Sequence, residues 1–158
     1  MKKRLMSVLI LLSGILAGYA ITQKWNIKKI KLAWKMSDKH LELFLMMNEW
    51  VRIKQEGKNI PDYLEKTNYK TIAIYGMSYV GERLLKELQN TAITVKYGID
   101  KKADEIYSDI DVVFPDSELE YVDAIIVTSI GYMEEVKKLL GGKIACPIIS
   151  LKDILYDI

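Results

Sequence analysis

The sequence predicts an α/β fold: a small parallel sheet of about five strands, preceded by a membrane-spanning helix and a juxtamembrane amphipathic helix. Three observations predict it. Residues 71–75 (TIAIY) are rich in β-branched and aromatic side chains and run into Gly76, then into a helix with Val80, Leu84, Leu85 and Leu88 on one face. Short apolar runs and helical segments then alternate to the end, which implies parallel strands joined by right-handed crossovers. Residues 5–21 carry no charge over about 17 positions, near the lower limit for crossing a bilayer.

From the N-terminus, Lys2, Lys3 and Arg4 precede the apolar stretch, and Lys24, Lys28, Lys29, Lys31 and Lys35 follow it. The larger basic cluster lies downstream, so the positive-inside rule predicts an uncleaved single-pass anchor in the cell membrane with the C-terminal part cytoplasmic. Gly14 and Gly18 form a G-x-x-x-G step, which lets two membrane helices approach closely. Lys24, Lys28, Lys31 and Lys35 share one helical face, flanked by Ile27, Ile30 and Trp34 on one side and Trp25 and Leu32 on the other. That stripe suits an interfacial helix against anionic lipid, so the membrane is the first expected partner.

Ser37-Asp38 offers an N-cap and Gly57 a stop for a connecting helix of about 20 residues. Its polar strip is narrow, and Leu41, Leu43, Phe44, Leu45, Met46, Met47, Trp50, Val51 and Ile53 cover the rest. So apolar a helix must be covered, by the α/β domain, by a second copy or by a shallow seat in the membrane, and the extra core that a small domain needs favours the first two. With the G-x-x-x-G step, this suggests a homodimer. Residues 59–64 (NIPDYL) then read as a turn into one short helix. The chain divides into an anchor (1–22), a basic interfacial segment with the connecting helix (23–58), and an α/β nucleotide-binding domain (59–158).

Within that domain the pattern predicts strands at 71–75, 93–99, 111–114, 124–128 and 147–150, with helices at 79–89, 132–140 and 152–156. Val95, Tyr97 and Ile99 alternate, which suggests a strand with one face less buried. Residues 124–128 are continuously apolar up to Thr128, as in a strand buried on both faces.

The chemistry concentrates at the first glycine turn. Gly76, Met77, Ser78, Tyr79, Val80 and Gly81 bring backbone N–H groups together at the positive end of a helix dipole, which suits phosphate. The pattern is G-x-S-x-x-G, with Ser78 where a dinucleotide fingerprint carries its middle glycine. Asp100 lies roughly 24 residues past Gly76 at the end of the second strand, where a ribose-binding carboxylate belongs. Lys101 beside it leaves a 2′-phosphate open, and Thr128 and Ser129 end the buried strand toward the same crevice. The expected ligand is NAD(P) or a nucleotide sugar.

No catalytic constellation accompanies this site. Tyr97 and Lys101 spell Y-x-x-x-K, but on a strand and its turn rather than on a helix. Asp104, Glu105, Asp109 and Asp111 make an acidic loop without His or Cys, so a solvated loop is expected rather than a metal site. His40, expected in the first turn of the connecting helix, lies far in sequence from the glycine turn, and Cys146 reads as a small buried side chain. A net charge of +2 gives no nucleic-acid signal.

The segments KTIAIYGMSYVGERLLKEL, VKYGIDK, DVVFP, VDAIIVTS and PIISLKDIL, in that order, resemble the small Rossmann-like domain of bacterial glycan and capsular polysaccharide biosynthesis proteins. That domain accompanies sugar acyltransferase and methyltransferase domains. The resemblance implies nucleotide binding through Gly76, Ser78, Gly81 and Asp100, and glycan-biosynthesis proteins as partners. Here a membrane anchor stands where a catalytic domain would be. The expectation is an accessory nucleotide-binding module; the alternatives are an adaptor that docks through its connecting helix, or a sugar-modifying subunit completed by a partner.

Overall fold

The computed structural model describes residues 2–158, although among the first 20 only the side chains of Met6, Gly14, Gly18 and Tyr19 are described. The chain divides into two compact units, Met1–Leu41 and Glu42–Ile158. Helix α1, Lys2–Gln55, contributes to both. Among the described residues no helix is long and apolar enough to cross a membrane. Most side chains of residues 5–21, which carry the expectation of an anchor, lie outside the described residues, Met6, Gly14, Gly18, Tyr19 and Ile21 excepted.

The expected start of a separate helix at Ser37-Asp38 is not found: both residues lie inside α1, and His40 therefore sits mid-helix rather than in a first turn. No Gly or Pro occurs between residues 19 and 56, so nothing breaks the helix, and a Ser-Asp pair costs too little propensity to do so. The stop is as expected, with Gly57 at φ +74°.

The second unit is built on a five-stranded parallel sheet. Its strands are β1 Thr71–Tyr75, β2 Thr94–Ile99, β3 Val112–Val113, β4 Ala124–Val127 and β5 Ile148–Ser150. Their order, β3-β2-β1-β4-β5, reverses direction between β1 and β4. The helices are α2 Ile60–Lys66, α3 Tyr79–Leu88, α4 Met133–Leu140 and α5 Leu151–Asp157. Asn59 caps α2 by accepting the Asp62 N–H at 2.8 Å, with Pro61 in the first turn.

One sheet face is thickly covered. Ile72, Ile74, Ala124 and Ile126 pack with Val80, Leu84 and Leu88 of α3, Ile60 and Leu64 of α2, and Leu151, Ile154 and Leu155 of α5. Met46, Trp50 and Ile53 at the end of α1 complete this core. The other face has one helix. Ala73, Tyr75, Ile99, Ile125 and Val127 meet Val136 and Leu140 of α4, with Cys146 half-buried at the margin.

Strand β2 departs from the simple alternation read in the sequence. Ile72 pairs with Val95 but Ala73 with Tyr97, so Lys96 is an extra, bulged residue. The bulge switches faces: Val95 packs against the first core, Tyr97 and Ile99 in the second. Tyr97 donates its hydroxyl to the Glu120 carbonyl at 2.6 Å, and burial pushes its phenol up to about 12.

Two carboxylates tie the layers together. Glu87 on α3, its side chain only 10% exposed, accepts from Trp50 Nε1 at 2.7 Å and the Ile60 N–H at 3.3 Å, and pairs with Lys54 at 2.7 Å. It thus joins α1, α2 and α3. Asp123 Oδ2 accepts from the N–H groups of Lys70 (3.0 Å) and Thr71 (2.7 Å) and the Thr71 hydroxyl (2.8 Å), fixing the start of β4 against β1.

Glu87→Ala should lower unfolding free energy by about 2–3 kcal/mol, since it leaves the Trp50 donor and the Ile60 N–H without an acceptor. Glu87→Gln, which can still accept from Trp50, should lose less. Urea titration of the two variants checks this. The Thr71 N–H and hydroxyl hold the Asp123 carboxyl below its usual range. Its contribution is therefore complete above the unfolded carboxyl's value, about 4, and is lost as pH falls through the lower folded value. Melting curves at stepped pH should show a shallower acid decline for Asp123→Ala than for the parent.

Candidate functional site

The site begins where β1 ends. Gly76 has φ +98°, and its N–H donates to Ile99 O at 2.8 Å, which carries the β1–β2 ladder into the turn. A Cβ on Gly76 would lie 2.2 Å from Ser129 Oγ and 2.8 Å from Thr128 Oγ1, so the end of β4 crowds against bare backbone. Met77 turns inward and is buried, filling the space over Gly98 where a Cβ would meet its Cγ at 2.6 Å.

Helix α3 starts at once. Ser78 is its N-cap, extended and exposed, and its hydroxyl makes no capping bond. The first turn of main-chain bonding is Glu82 N–H to Ser78 O at 3.0 Å. Tyr79 is exposed and Val80 buried. Gly81 lies so close to the turn that an added Cβ would sit 2.2 Å from the Gly76 carbonyl oxygen. The second glycine is thus needed for helix–strand approach.

Asp100 follows β2 and reaches across to this turn. Its Oδ2 accepts the Met77 N–H at 2.9 Å and its Oδ1 the Lys102 N–H at 3.0 Å. The expected ribose carboxylate is thus beside the glycine turn, and it also holds that turn's shape. Each oxygen keeps a further lone pair for a hydroxyl donor.

Beyond the carboxyl ends of β1 and β4, where the strand order reverses, is a crevice of about 170 Å³. Tyr75, Asp100, Lys101, Ser129, Tyr132, Glu135 and Val136 line it. Lys101 and Glu135 form an ion pair that joins the loop after β2 to α4, and it raises the Lys101 ammonium above its ordinary value. Burial is the main influence raising the Tyr75 phenol. Crevices at such reversals are where open α/β sheets take their ligands.

Of the residues expected here, Asp100, Lys101 and Ser129 line the crevice. Gly76, Met77, Ser78, Tyr79, Val80 and Gly81 do not form its wall; they make the adjoining turn, and Asp100 is the link between the two. Thr128 does not face the crevice as a free hydroxyl. It is buried, and its Oγ1 lies 2.5 Å from the Gly76 carbonyl and 3.1 Å from that of Tyr75.

Sequence reasoning missed Tyr75, Tyr132, Glu135 and Val136. Tyr75 was legible as the last residue of β1, and the other three as the start of the helix after β4, since both positions fall at the carboxyl edge of a parallel sheet. The acidic loop is solvated: Glu105 pairs with Lys102, and Asp109 accepts from Gln89 at 3.4 Å. Among the described residues no group of His, Cys, Asp and Glu is placed to hold a metal ion. Carboxylate, ammonium and hydroxyl groups in this crevice can bind a polar, hydroxyl-bearing ligand.

No family model, curated protein or solved structure matches this chain.

Gly81→Ala should destabilise the protein by about 2–3 kcal/mol, because its Cβ would overlap the Gly76 carbonyl and force α3 off β1. Chemical denaturation measures this. A loss below about 0.5 kcal/mol would show that the approach is not tight.

Proposed function

We propose that the protein is a membrane-anchored, cytoplasm-facing module that binds a nucleotide, NAD(P) or a nucleotide sugar, as an accessory component of cell-surface polysaccharide synthesis. The observation that carries the binding reading is Asp100, a carboxylate at the end of β2 that both lines the crevice at the strand-order reversal and touches the glycine turn. A ribose diol would donate to its remaining lone pairs, with the diphosphate toward the uncapped first turn of α3. The anchor rests on the uncharged residues 5–21, and the lipid contact on Lys24, Lys28, Lys31 and Lys35, all exposed beside Trp25. The pathway rests on the sequence resemblance alone.

A second reading is a scaffold that binds no nucleotide. It is favoured by the internal commitments of the site: both Asp100 oxygens already accept backbone N–H groups, and Lys101 is paired with Glu135.

Calorimetry on the full chain in detergent micelles, with NAD, NADP and UDP-sugars at millimolar concentration, separates the readings. Binding by the parent is expected, together with a loss of about tenfold, or 1.4 kcal/mol, in Asp100→Asn. The Asn oxygen can still accept from Met77 while its amide nitrogen cannot accept from the exposed Lys102 N–H, so the melting temperature should fall only slightly. No heat with any of these ligands would leave the scaffold.

A further inference from the structure

We infer that α1 pairs with α1 of a second copy in a parallel, in-register coiled coil along the face it leaves bare. Within the second unit, α1 has two opposite sides. Met46, Trp50 and Ile53 are buried in the core, whereas Phe44, Asn48, Val51 and Gln55, at alternating steps of four and three, are exposed. The fold needs the first side. It gives no reason for Phe44 and Val51 to be apolar on the second.

The same three-and-four spacing continues through the sequence of the first unit as Ile27, Ile30, Trp34, Ser37 and Leu41, each also exposed. Read together these are alternating a and d positions of a heptad repeat over residues 27–55, the sequence signature of a coiled-coil seam. Ile27, Ile30, Trp34, Leu41, Phe44 and Val51 are 50–67% exposed. They leave on the order of 700 Å² of apolar surface per copy, close to what each side of a standard protein interface buries.

The flanking charges permit a parallel pair and disfavour a full antiparallel overlap. In a parallel pair each g residue faces the e residue of the next heptad in the other helix. The resulting pairs are Asn26 with Lys31, Ala33 with Asp38, His40 with Leu45, and Met47 with Arg52; none joins like charges. A full antiparallel overlap would set Lys31 opposite Arg52. Asn48 falls at an a position, where a single polar residue fixes register and oligomeric state at some expense of stability. Beside the seam, an apolar groove of about 420 Å³ between Trp50 and Val51 of α1 and Arg83 of α3 adds uncovered surface. Lys24, Lys28, Lys31 and Lys35 lie to one side of the seam, so lipid contact and pairing are compatible. The inference does not depend on a nucleotide.

Full-length protein in detergent micelles, with Cys146→Ser to remove the native thiol, carries the test. Leu41→Cys and Val51→Cys should each oxidise to a disulfide-linked dimer at least tenfold faster than Lys29→Cys, which lies off the seam. Sedimentation should show the uncrosslinked parent as a dimer and Phe44→Asp as a monomer with its circular dichroism unchanged. A parent that is monomeric throughout the micromolar range overturns the inference. So does crosslinking of Leu41→Cys without Val51→Cys, since a full antiparallel overlap sets residue 41 against its own copy but residue 51 against residues 31 and 32, and so does equal crosslinking at Lys29→Cys.

Discussion

The second unit depends on one close approach, that of Gly81 to the carbonyl of Gly76. With no side chain on either residue, α3 lies directly on the end of β1, and a single methyl group would close the gap. Several features follow from this contact. Ser129 can stand over Gly76, Thr128 can bond the turn's carbonyls, and the Met77 N–H is turned toward Asp100. The turn is therefore held from β2 and β4 at once. Its geometry comes from neighbouring strands as much as from its own glycines, so a ligand would meet a preformed edge with little left to order.

The two sheet faces solve the burial problem differently. A domain of this size has little core to spare, and a face covered by one short helix such as α4 is thin. The opposite face is correspondingly thick, with α2, α3, α5 and the end of α1 all packed on it. Glu87 is the polar pin of that thick layer. Its position is unusual for a carboxylate, yet its two oxygens meet an indole N–H, a backbone N–H and an ammonium, so its burial is compensated. The thin face is where the crevice opens, between β1 and the start of α4. Sparse cover on one side is what leaves room for it.

How much of this was legible in the sequence depended on the range of the signal. Strand β1 was readable to the residue, because β-branched side chains ended at a glycine. The positions of Gly76 and Gly81 at the turn were readable from spacing, and the place of Asp100 from its distance along the chain. What could not be read were contacts that only the assembled sheet creates. The Lys96 bulge leaves no mark in the alternation of Val95, Tyr97 and Ile99, yet it moves Val95 to the other core. Thr128 was assigned to the crevice because it ends a strand, but a hydroxyl within reach of two carbonyls turns inward. The Ser37-Asp38 cap misled because caps are local propensities, and an unbroken run of helix formers on both sides overrides them.

Helix α1 shows why a fold and a function can be argued separately from one element. Core packing accounts for Met46, Trp50 and Ile53, which recur at four and three residues on one side. It says nothing about the opposite side, where lysine or glutamate would keep the helix equally stable and more soluble. Phe44 and Val51 there expose apolar surface that water disfavours. Scattered exposed apolar residues need no explanation, but residues repeating at heptad spacing from Ile27 to Val51 are not scattered. The α/β unit makes use of one stripe of this helix, and the physics of the other stripe points outside the chain.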